Sequence, residues 1–261
     1  CEVFLKIPGA QRITGKPAHM QIFWYYLGLG VFLLAIYACA RRNEKHKDCR
    51  ETADLCVSRR KKRLQGIVFS CFIAFLLLFL LFPQKKSFEI DFLDVGQGDG
   101  IYLCTGGGTS MFIDGGSTDV KQVGKYRILP FLKAKGVSEI SYWFVSHTDT
   151  DHVSGLKEVL VSGYRVEYLV FAKAVEKEAK TKELAELASS HGTKVLYMQA
   201  GDTVRSKRAA MRCLYPKASD KAEDVNDLCL VLQFEEGDIC ACLFIHISEP
   251  TRPISISYAV F

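Results

Sequence analysis

The sequence predicts a mixed α/β domain, a sandwich of two sheets with helices outside, that follows two long apolar helices. Three observations support this prediction. Two uncharged runs of about twenty residues lie within residues 1–82. From Lys85 on, short apolar or alternating segments are separated by glycine-rich turns, which is typical of strands. Residues 153–162 and 174–190 are predicted helices, and the second of these is rich in Ala, Glu, Lys and Leu.

The two apolar runs have the length and composition of membrane spans. Residues 21–40 contain no charged side chain and carry three aromatic residues near one end, and residues 64–82 are also uncharged. A helix of twenty residues, at about 1.5 Å per residue, covers the roughly 30 Å hydrocarbon layer of a bilayer. We therefore expect two transmembrane helices, at about 21–40 and 64–82, rather than helices buried in a protein core.

The loop between these runs, residues 41–63, contains ten basic and four acidic residues. Short loops with an excess of Lys and Arg stay in the cytoplasm, so everything from Pro83 on is expected on the other side of the membrane. A patch for nucleic acid or anionic lipid is the competing interpretation of this loop. Its position between two spans makes membrane topology the simpler explanation.

The rest of the chain, residues 83–261, contains 21 basic and 24 acidic residues, so its net charge does not indicate a polyanion-binding domain. The ten cysteines of the chain are scattered and form no CxxC pair, which favours reduced, buried thiols. Nine strands are predicted in this part: 88–95, 101–105, 110–116, 140–147, 166–172, 194–198, 210–216, 228–234 and 239–245.

A polar cluster follows the apolar strand that ends near residue 147. It contains two imidazoles, His147 and His152, and two carboxylates, Asp149 and Asp151. Charged groups beside an apolar strand are costly unless they are paired or bound to a metal, and this donor set suits Zn²⁺, Mn²⁺ or Fe²⁺. A solvated polar loop is the alternative. Asp114, at the end of another strand and followed by two glycines, favours a metal site.

These residues resemble a known superfamily. FIDGG followed by SHTDTDHVSGL is similar to the first two motifs of the metallo-β-lactamase superfamily, in which the second motif is His-x-His-x-Asp-His. His147, Asp151 and His152 match this motif, whereas Asp149 stands where the second histidine usually lies. FLDVGQGDGIYL and ITGKPAHMQIFWYYLGL also resemble the ComEC family of competence proteins, which form a channel for DNA uptake.

The resemblance implies an architecture and a ligand set. Residues 84–261 would form an αββα metallo-β-lactamase-like sandwich, and residues 1–82 would be the end of a polytopic membrane domain. His147 would ligate one divalent metal ion, Mn²⁺ or Zn²⁺, while Asp151 and His152 would ligate a second. Asp114 would organise the motif loop. Asp149 would be either an oxygen ligand that favours Mn²⁺ or Mg²⁺ over Zn²⁺, or no ligand at all.

Further candidate residues lie in two other motifs. Asp94, Gln97 and Asp99 match the DVGQGD signature of the family, where a turn tied by aspartate side chains competes with a direct catalytic role. Asn226 resembles a residue of a later motif. We therefore consider Asp94 and Asp99, with Asp114 and Asp149, as catalytic candidates, and Gln97 and Asn226 as substrate-binding candidates.

The sequence departs from the superfamily after the strand at 239–245. The expected Thr-Gly-Asp of the fourth motif, whose aspartate bridges two metals, is replaced by residues 245–248, which include His246 and no acidic residue. A truncation or a shift of reading frame near residue 245 is expected, and the first residue, Cys1, is expected to begin a fragment. A site without the bridging carboxylate gives little support to a two-metal mechanism.

The function implied by the resemblance is metal-assisted hydrolysis of phosphodiester bonds in incoming DNA. Partners would then be DNA, membrane lipid and other proteins of the competence machinery, and the location would be a bacterial cell membrane with the C-terminal domain extracytoplasmic. Two alternatives stay open: a non-catalytic domain that guides DNA, and a membrane-anchored metallo-hydrolase of small molecules. Arg205, Lys207 and Arg208 could contact phosphate, but a solvated turn is the favoured interpretation of that segment.

Overall fold

The computed structural model describes residues 13–45, 55–82, 87–222, 225–243 and 259–260. The chain divides into two compact units, one formed by Thr14–Gln84 and one that includes Lys85–Phe261. The first unit consists of helices α1 (His19–Lys45) and α2 (Leu55–Leu80). They pack through aromatic side chains, because the ring of Phe32 stacks on those of Phe69 and Phe72 at centroid distances of 5.2 and 4.3 Å.

Both predicted apolar runs are helical, but the prediction of two membrane spans is not confirmed. Among the described residues, His19–Ala38 is the one helical segment long and apolar enough to cross a membrane, with a mean hydropathy of 1.6. The apolar part of α2, Gly66–Leu80, is shorter than such a span. The reason is that α2 includes the basic residues 59–63 in its first half. Residues 46–54 of the predicted basic loop lie outside the described part.

The second unit contains two sheets. The first sheet has the order β1-β2-β3-β4-β5-β6, in which β1, β2 and β3 are antiparallel and β3 to β6 are parallel. Its strands are β1 (Glu89–Phe92), β2 (Gly100–Cys104), β3 (Ser110–Asp114), β4 (Glu139–Phe144), β5 (Arg165–Ala172) and β6 (Lys194–Met198). Strand β3 is buried along its whole length, and β4 and β5 are buried toward their carboxyl ends, which explains the apolar sequences there.

The second sheet is antiparallel throughout, with the order β11-β10-β9-β8-β7. Its strands are β7 (Thr203–Arg205), β8 (Ala209–Tyr215), β9 (Val231–Glu236), β10 (Ile239–Leu243) and β11 (Ala259–Val260). The helices of the unit are a π-helical turn (Gly124–Ile128) that continues into α3 (Leu129–Ala134), then α4 (Thr150–Val161) and α5 (Ala179–Ser190), with short 3₁₀ turns at Lys173–Val175 and Val225–Leu228.

Two apolar clusters hold these layers together. On one face of the first sheet, Phe112 and Trp143 pack against residues of α4 such as Leu156. On the other face, Met111 and Ile113 pack, together with strands β4 and β5, against the second sheet. Alternate residues of β3 thus enter opposite clusters, as the period of a strand requires. The predicted mixed α/β sandwich is confirmed, whereas a helical layer over the second sheet is not among the described residues and stays a prediction.

Sequence and structure differ at several boundaries. The predicted strands are present within a few residues, but β7, β11 and the helical segment at 124–134 were not predicted. Helix α4 begins at Thr150, three residues before the predicted start, because Asp149 has the extended conformation of an N-cap residue (φ −76°, ψ 158°). The polar cluster therefore forms the first turn of a helix. Helix α5 begins at Ala179 rather than 174, because Lys173–Val175 form a separate 3₁₀ turn.

Candidate metal centre

The centre lies where two parallel strands end. Ile113 of β3 is opposite Phe144 of β4, so the residues that follow both strands meet at the same edge of the sheet. Asp114, the last residue of β3, has a left-handed backbone (φ 55°) and a side chain that is 0% exposed. Aspartate tolerates this conformation better than most residues do. The indole N–H of Trp143 donates to the Asp114 carbonyl at 2.6 Å and stabilises the turn.

The buried Asp114 carboxylate accepts three hydrogen bonds. The backbone N–H of Ser146 donates to Oδ1 at 2.8 Å, and the hydroxyl of Ser146 donates to Oδ2 at 2.7 Å. His152 Nδ1 lies 2.9 Å from the same Oδ2 and donates the third bond. A buried polar group needs such partners to offset the cost of its removal from water. Asp114 therefore holds the residue after β4 and the first turn of α4 in one place.

This network determines which ring nitrogens carry protons. Because the Ser146 hydroxyl donates its single proton to Asp114, the Nδ1 of His147, 3.0 Å from that hydroxyl, must be a donor to it. His152 likewise donates from Nδ1. Both imidazoles then present Nε2 as the atom with a lone pair. A carboxylate or hydroxyl behind the imidazole is the arrangement that orients histidine ligands of metals.

Both histidines and Asp151 form one cluster of possible ligands. Asp151 Oδ2 lies 3.4 Å from His152 Nε2, and the ligand atoms of His147, Asp151 and His152 all lie within 4.8 Å of one another. Two ligand atoms that are each about 2.1 Å from a tetrahedral ion are about 3.4 Å apart. Two imidazole nitrogens and one carboxylate oxygen suit Zn²⁺ or Mn²⁺. The donor types therefore fit a divalent metal ion, and the separation of Asp151 Oδ2 from His152 Nε2 matches that of two ligands of one ion.

The electrostatics of the cluster favour a cation. Burial lowers the pKa of His152, but the Asp114 carboxylate raises it by charge and hydrogen bonding, and Asp151 and Asp99 add to this effect. The net result is a pKa above the usual value for histidine. The three carboxylates thus create a negative potential at a nearly buried imidazole. A bound cation would offset this potential.

Asp149 has a different partner from the other cluster residues. Its Oδ2 is 4.0 Å from His147 Nε2, while its Oδ1 accepts a hydrogen bond from Lys180 Nζ at 2.8 Å. Lys180 belongs to the first turn of α5, and the bond to Asp149 raises its pKa above the usual value. No pattern in the sequence indicated Lys180, because it is 31 residues from Asp149. The structure therefore adds a cation to the edge of the predicted cluster.

The DVGQGD loop packs closely behind the centre. A Cβ added to Gly98 would lie 2.3 Å from the carbonyl oxygen of Gly116 and 2.5 Å from that of Asp151. The Gly115 N–H donates to the carbonyl of Asp99 at 2.7 Å. These contacts require glycine and join the loop to the motif turn and to the start of α4. The charge of Asp99 acts on His152, so this loop lies close to the cluster.

The other predicted residues have separate environments. Asp94 is 82% exposed and lies 3.5 Å from Arg127, and within the described ranges it makes no contact with the two histidines. The backbone N–H of Gln97 donates to Asp119 at 2.7 Å, in a turn tied by an aspartate side chain. Asn226 is part of the 3₁₀ turn Val225–Leu228, but its side chain is outside the described part, as is His246. Catalytic or binding roles for these residues stay predictions.

No protein-family model matches the sequence. Two curated proteins are similar to it. ComE operon protein 3 of Bacillus subtilis (strain 168) is 28% identical over 199 residues, which cover 70% of this chain and 25% of that protein. Recombination protein 2 of Haemophilus influenzae is 31% identical over 106 residues, which cover 40% of this chain and 13% of that protein. The chain thus spans about a quarter or less of the relatives that it matches.

Solved structures with a similar arrangement include metallo-β-lactamase proteins. One from Cronobacter sakazakii has a TM-score of 0.42 and 16% identity, and covers 63% of this chain and 62% of its own. The metallo-β-lactamase fold protein YhfI of Bacillus subtilis has a TM-score of 0.39 and 13% identity, with 55% and 52% covered. The sequence similarity to ComE operon protein 3 extends over the larger part of this chain, so the chain is similar in sequence to that protein over most of its own length.

Proposed function

We propose that this chain is part of a membrane protein for DNA uptake, and that its sandwich domain hydrolyses phosphodiester bonds of incoming DNA with the help of a divalent metal ion. The observation that carries the proposal is the convergence of His147, Asp151 and His152 in front of a buried carboxylate. The similarity to ComE operon protein 3 supports competence as the process. The location in a bacterial membrane is part of the same proposal.

Each residue of the centre has a distinct role in this proposal. Asp114 and Ser146 keep the Nδ1 atoms of both histidines protonated, so that the Nε2 atoms are available as ligands. Asp151 supplies a carboxylate oxygen, Oδ2, which lies 3.4 Å from His152 Nε2. The chemistry that a divalent metal ion supplies there when bound is activation of water and neutralisation of phosphate charge. These residues thus prepare the site before any substrate enters.

Asp149 and Lys180 have a second role in this proposal. The Lys180 ammonium lies 2.8 Å from Asp149 and is largely exposed, so it can also contact a phosphate oxygen that approaches the centre. It reduces the repulsion between the aspartates of the cluster and a polyanion. DNA, membrane lipid and other proteins of the competence machinery are the proposed partners. Helices α1 and α2 would cross the membrane with the basic loop on the cytoplasmic side, which would place the sandwich on the extracytoplasmic side.

The test uses the 261-residue chain, purified in detergent, with Mn²⁺ or Zn²⁺ added back after treatment with EDTA. Three variants are compared: Asp151→Asn and His147→Gln in the cluster, and His191→Gln at the exposed end of α5 as a matched control. We expect the cluster variants to lose Mn²⁺ affinity more than a hundredfold in calorimetry and to lose cleavage of a fluorescent single-stranded oligonucleotide. The control variant is expected to keep both its Mn²⁺ affinity and its cleavage of the oligonucleotide.

Three outcomes would overturn the proposal in different ways. Mn²⁺ binding that depends on Asp151 without any cleavage of DNA would favour a domain that guides DNA. Cleavage of small phosphate or carboxylate esters, but not of oligonucleotides, would favour a hydrolase of small molecules. Mn²⁺ binding that is equal in all variants would show that the cluster holds no metal.

A further inference from the structure

A second charged feature lies on the antiparallel sheet. A cavity of about 500 Å³ opens beside the turn between β7 and β8, and four of its lining residues are cationic. We call it the basic cavity; its cations are Arg205, Lys207, Arg208 and Arg212. A single carboxylate, that of Glu235, is among its lining residues. This concentration of positive charge contrasts with the net negative charge of residues 83–261.

Strand register explains why the arginines converge. Thr203 of β7 is opposite Arg212 of β8, and Arg205 is opposite Ala210. Because side chains two residues apart point to the same face of a strand, Arg205 and Arg212 lie on one face of the sheet. Both are exposed, on the face opposite to the buried residues Met211 and Cys213. Lys207 and Arg208 in the turn add their charges at the end of that face.

The four cations are not neutralised within the described part of the chain. None of them is within 4.0 Å of a carboxylate in that part, although six other Lys and Arg residues of the sandwich unit form such ion pairs. Basic residues on an edge strand can prevent that strand from pairing with a strand of another molecule, but one or two such residues are enough for this purpose. Four like charges around one cavity repel one another, and an anion would relieve that repulsion.

The turn that carries Lys207 and Arg208 has a defined position. Ser206 forms a hydrogen bond with Thr109, whose turn connects β2 to β3, and the Gly106 N–H in that turn donates to Glu236 at 2.9 Å. The basic cavity is therefore near the start of β3, whereas Asp114 of the metal centre is at its end. Four residue steps at about 3.4 Å place these ends about 14 Å apart along the strand.

We infer that the basic cavity is a second binding site, for the phosphate backbone of a nucleic acid strand. Arginine forks suit phosphate oxygens, which they bind with two parallel hydrogen bonds. The open shape suits a polymer that passes over the surface better than a small enclosed ligand. The distance of about 14 Å along β3 suits a nucleic acid strand that contacts both the basic cavity and the metal centre, since phosphates of one strand advance about 3.4 Å per step in a duplex. The choice of DNA as the polymer rests on the proposed function.

The test measures binding without cleavage. The 261-residue chain is titrated with a fluorescent single-stranded oligonucleotide in EDTA, at salt concentrations from 0.1 to 1 M. The variant K207Q/R208Q is compared with K121Q/K133Q, which removes two exposed charges on the helical side. Each phosphate contact contributes about 0.7 to the salt slope for a single strand, so K207Q/R208Q should lower the slope by about 1.4 and the affinity at 0.1 M by about 25-fold.

The expected result is this loss in K207Q/R208Q and a change under twofold in K121Q/K133Q. An equal loss in both variants would overturn the inference, because it would reflect net charge alone. Binding to vesicles that contain phosphatidylglycerol, with no binding to the oligonucleotide, would also overturn it in favour of a lipid surface. Because EDTA removes metal, binding that depends on Lys207 and Arg208 would stand even if the metal centre cleaved nothing.

Discussion

The two ends of the sandwich differ in how their charges are held. At the candidate metal centre, Asp114 is 0% exposed and His152 is 2% exposed, and each has hydrogen-bond partners at defined atoms. At the basic cavity, arginine and lysine side chains are exposed, and no carboxylate of the described residues pairs with them. A buried charge without hydrogen-bond partners costs much free energy, because it has lost its contact with water. An exposed charge stays hydrated and does not need a partner. The candidate metal centre therefore holds its side chains in fixed positions, whereas the basic cavity attracts anions by its exposed positive charge.

This difference predicts how each end responds to mutation. Changes at the metal centre should alter stability and metal affinity together, because the same hydrogen bonds hold both the fold and the ligands. Changes at the basic cavity should alter binding of polyanions and its salt dependence, with little change in stability. Four further substitutions test this contrast.

The largest effect is expected for Asp114→Asn. Asparagine has the same shape and tolerates the left-handed backbone, but its NH₂ group cannot accept the bonds of Ser146 and His152. We expect the free energy of unfolding to fall by about 3 kcal/mol and the Mn²⁺ affinity to fall 10- to 100-fold. Chemical unfolding and calorimetry measure the two effects. Asp238→Asn, in the exposed turn between β9 and β10, is the control, and equal losses in both variants would contradict the prediction.

Gly116→Ala should have the next largest effect. A Cβ on Gly116 would lie 2.3 Å from the carbonyl carbon of Asp151 and 2.4 Å from the nitrogen of His152, so the start of α4 must shift. We expect a loss of stability of about 2 kcal/mol and weaker Mn²⁺ binding. Gly107→Ala is the matched control near the basic cavity, where a Cβ meets Lys207 at an ordinary 3.6 Å. Thermal unfolding of both variants measures the difference in stability. A Gly116→Ala protein as stable as Gly107→Ala would contradict the close packing of Gly116 against the start of α4.

A smaller effect, a change of stability with pH, is expected at the buried thiol of Cys213. Burial raises the pKa of the Cys213 thiol to about 11, although its hydrogen bond to the Tyr215 carbonyl opposes this. Above about pH 9 the unfolded chain has lost this proton while the folded chain keeps it. Stability relative to Cys213→Ala should therefore fall by about 1 kcal/mol as the pH rises from 9 to 10. Urea unfolding at both pH values checks this, and a difference independent of pH would mean that the thiol is solvated.

The smallest effect is expected for Lys180→Gln, and its sign is opposite to that of Asp114→Asn. Removal of the ammonium group eliminates a positive charge 2.8 Å from Asp149 and releases that carboxylate. Mn²⁺ should then bind about two- to fivefold more tightly, because less positive charge opposes the cation. Lys182→Gln, in the same helix and without an ion pair among the described residues, is the control. Calorimetry that shows weaker binding for Lys180→Gln would instead indicate that Lys180 positions Asp149 as a ligand.

Much of the fold was predictable from local pattern. Alternating and apolar segments indicated the strands, because the period of a strand requires only neighbours in sequence. The meeting of Asp114 with His147 and His152 was expected from the resemblance to the metallo-β-lactamase superfamily and not from local pattern, since it requires β3 and β4 to be neighbours in the sheet. The start of α4 did not follow, because the N-cap conformation of Asp149 depends on its surroundings.

The sequence by itself determined which residues could bind a metal and which segments could be buried, because residue chemistry and periodicity are properties of the chain. It did not determine the Lys180–Asp149 pair, the approach of Gly98 to Asp151, or the convergence of Arg205 with Arg212. It also left Asp94 and Asp99 equivalent, although Asp94 pairs with Arg127 and Asp99 acts on His152. These relations depend on strand order and register, which bring together side chains that no sequence spacing connects.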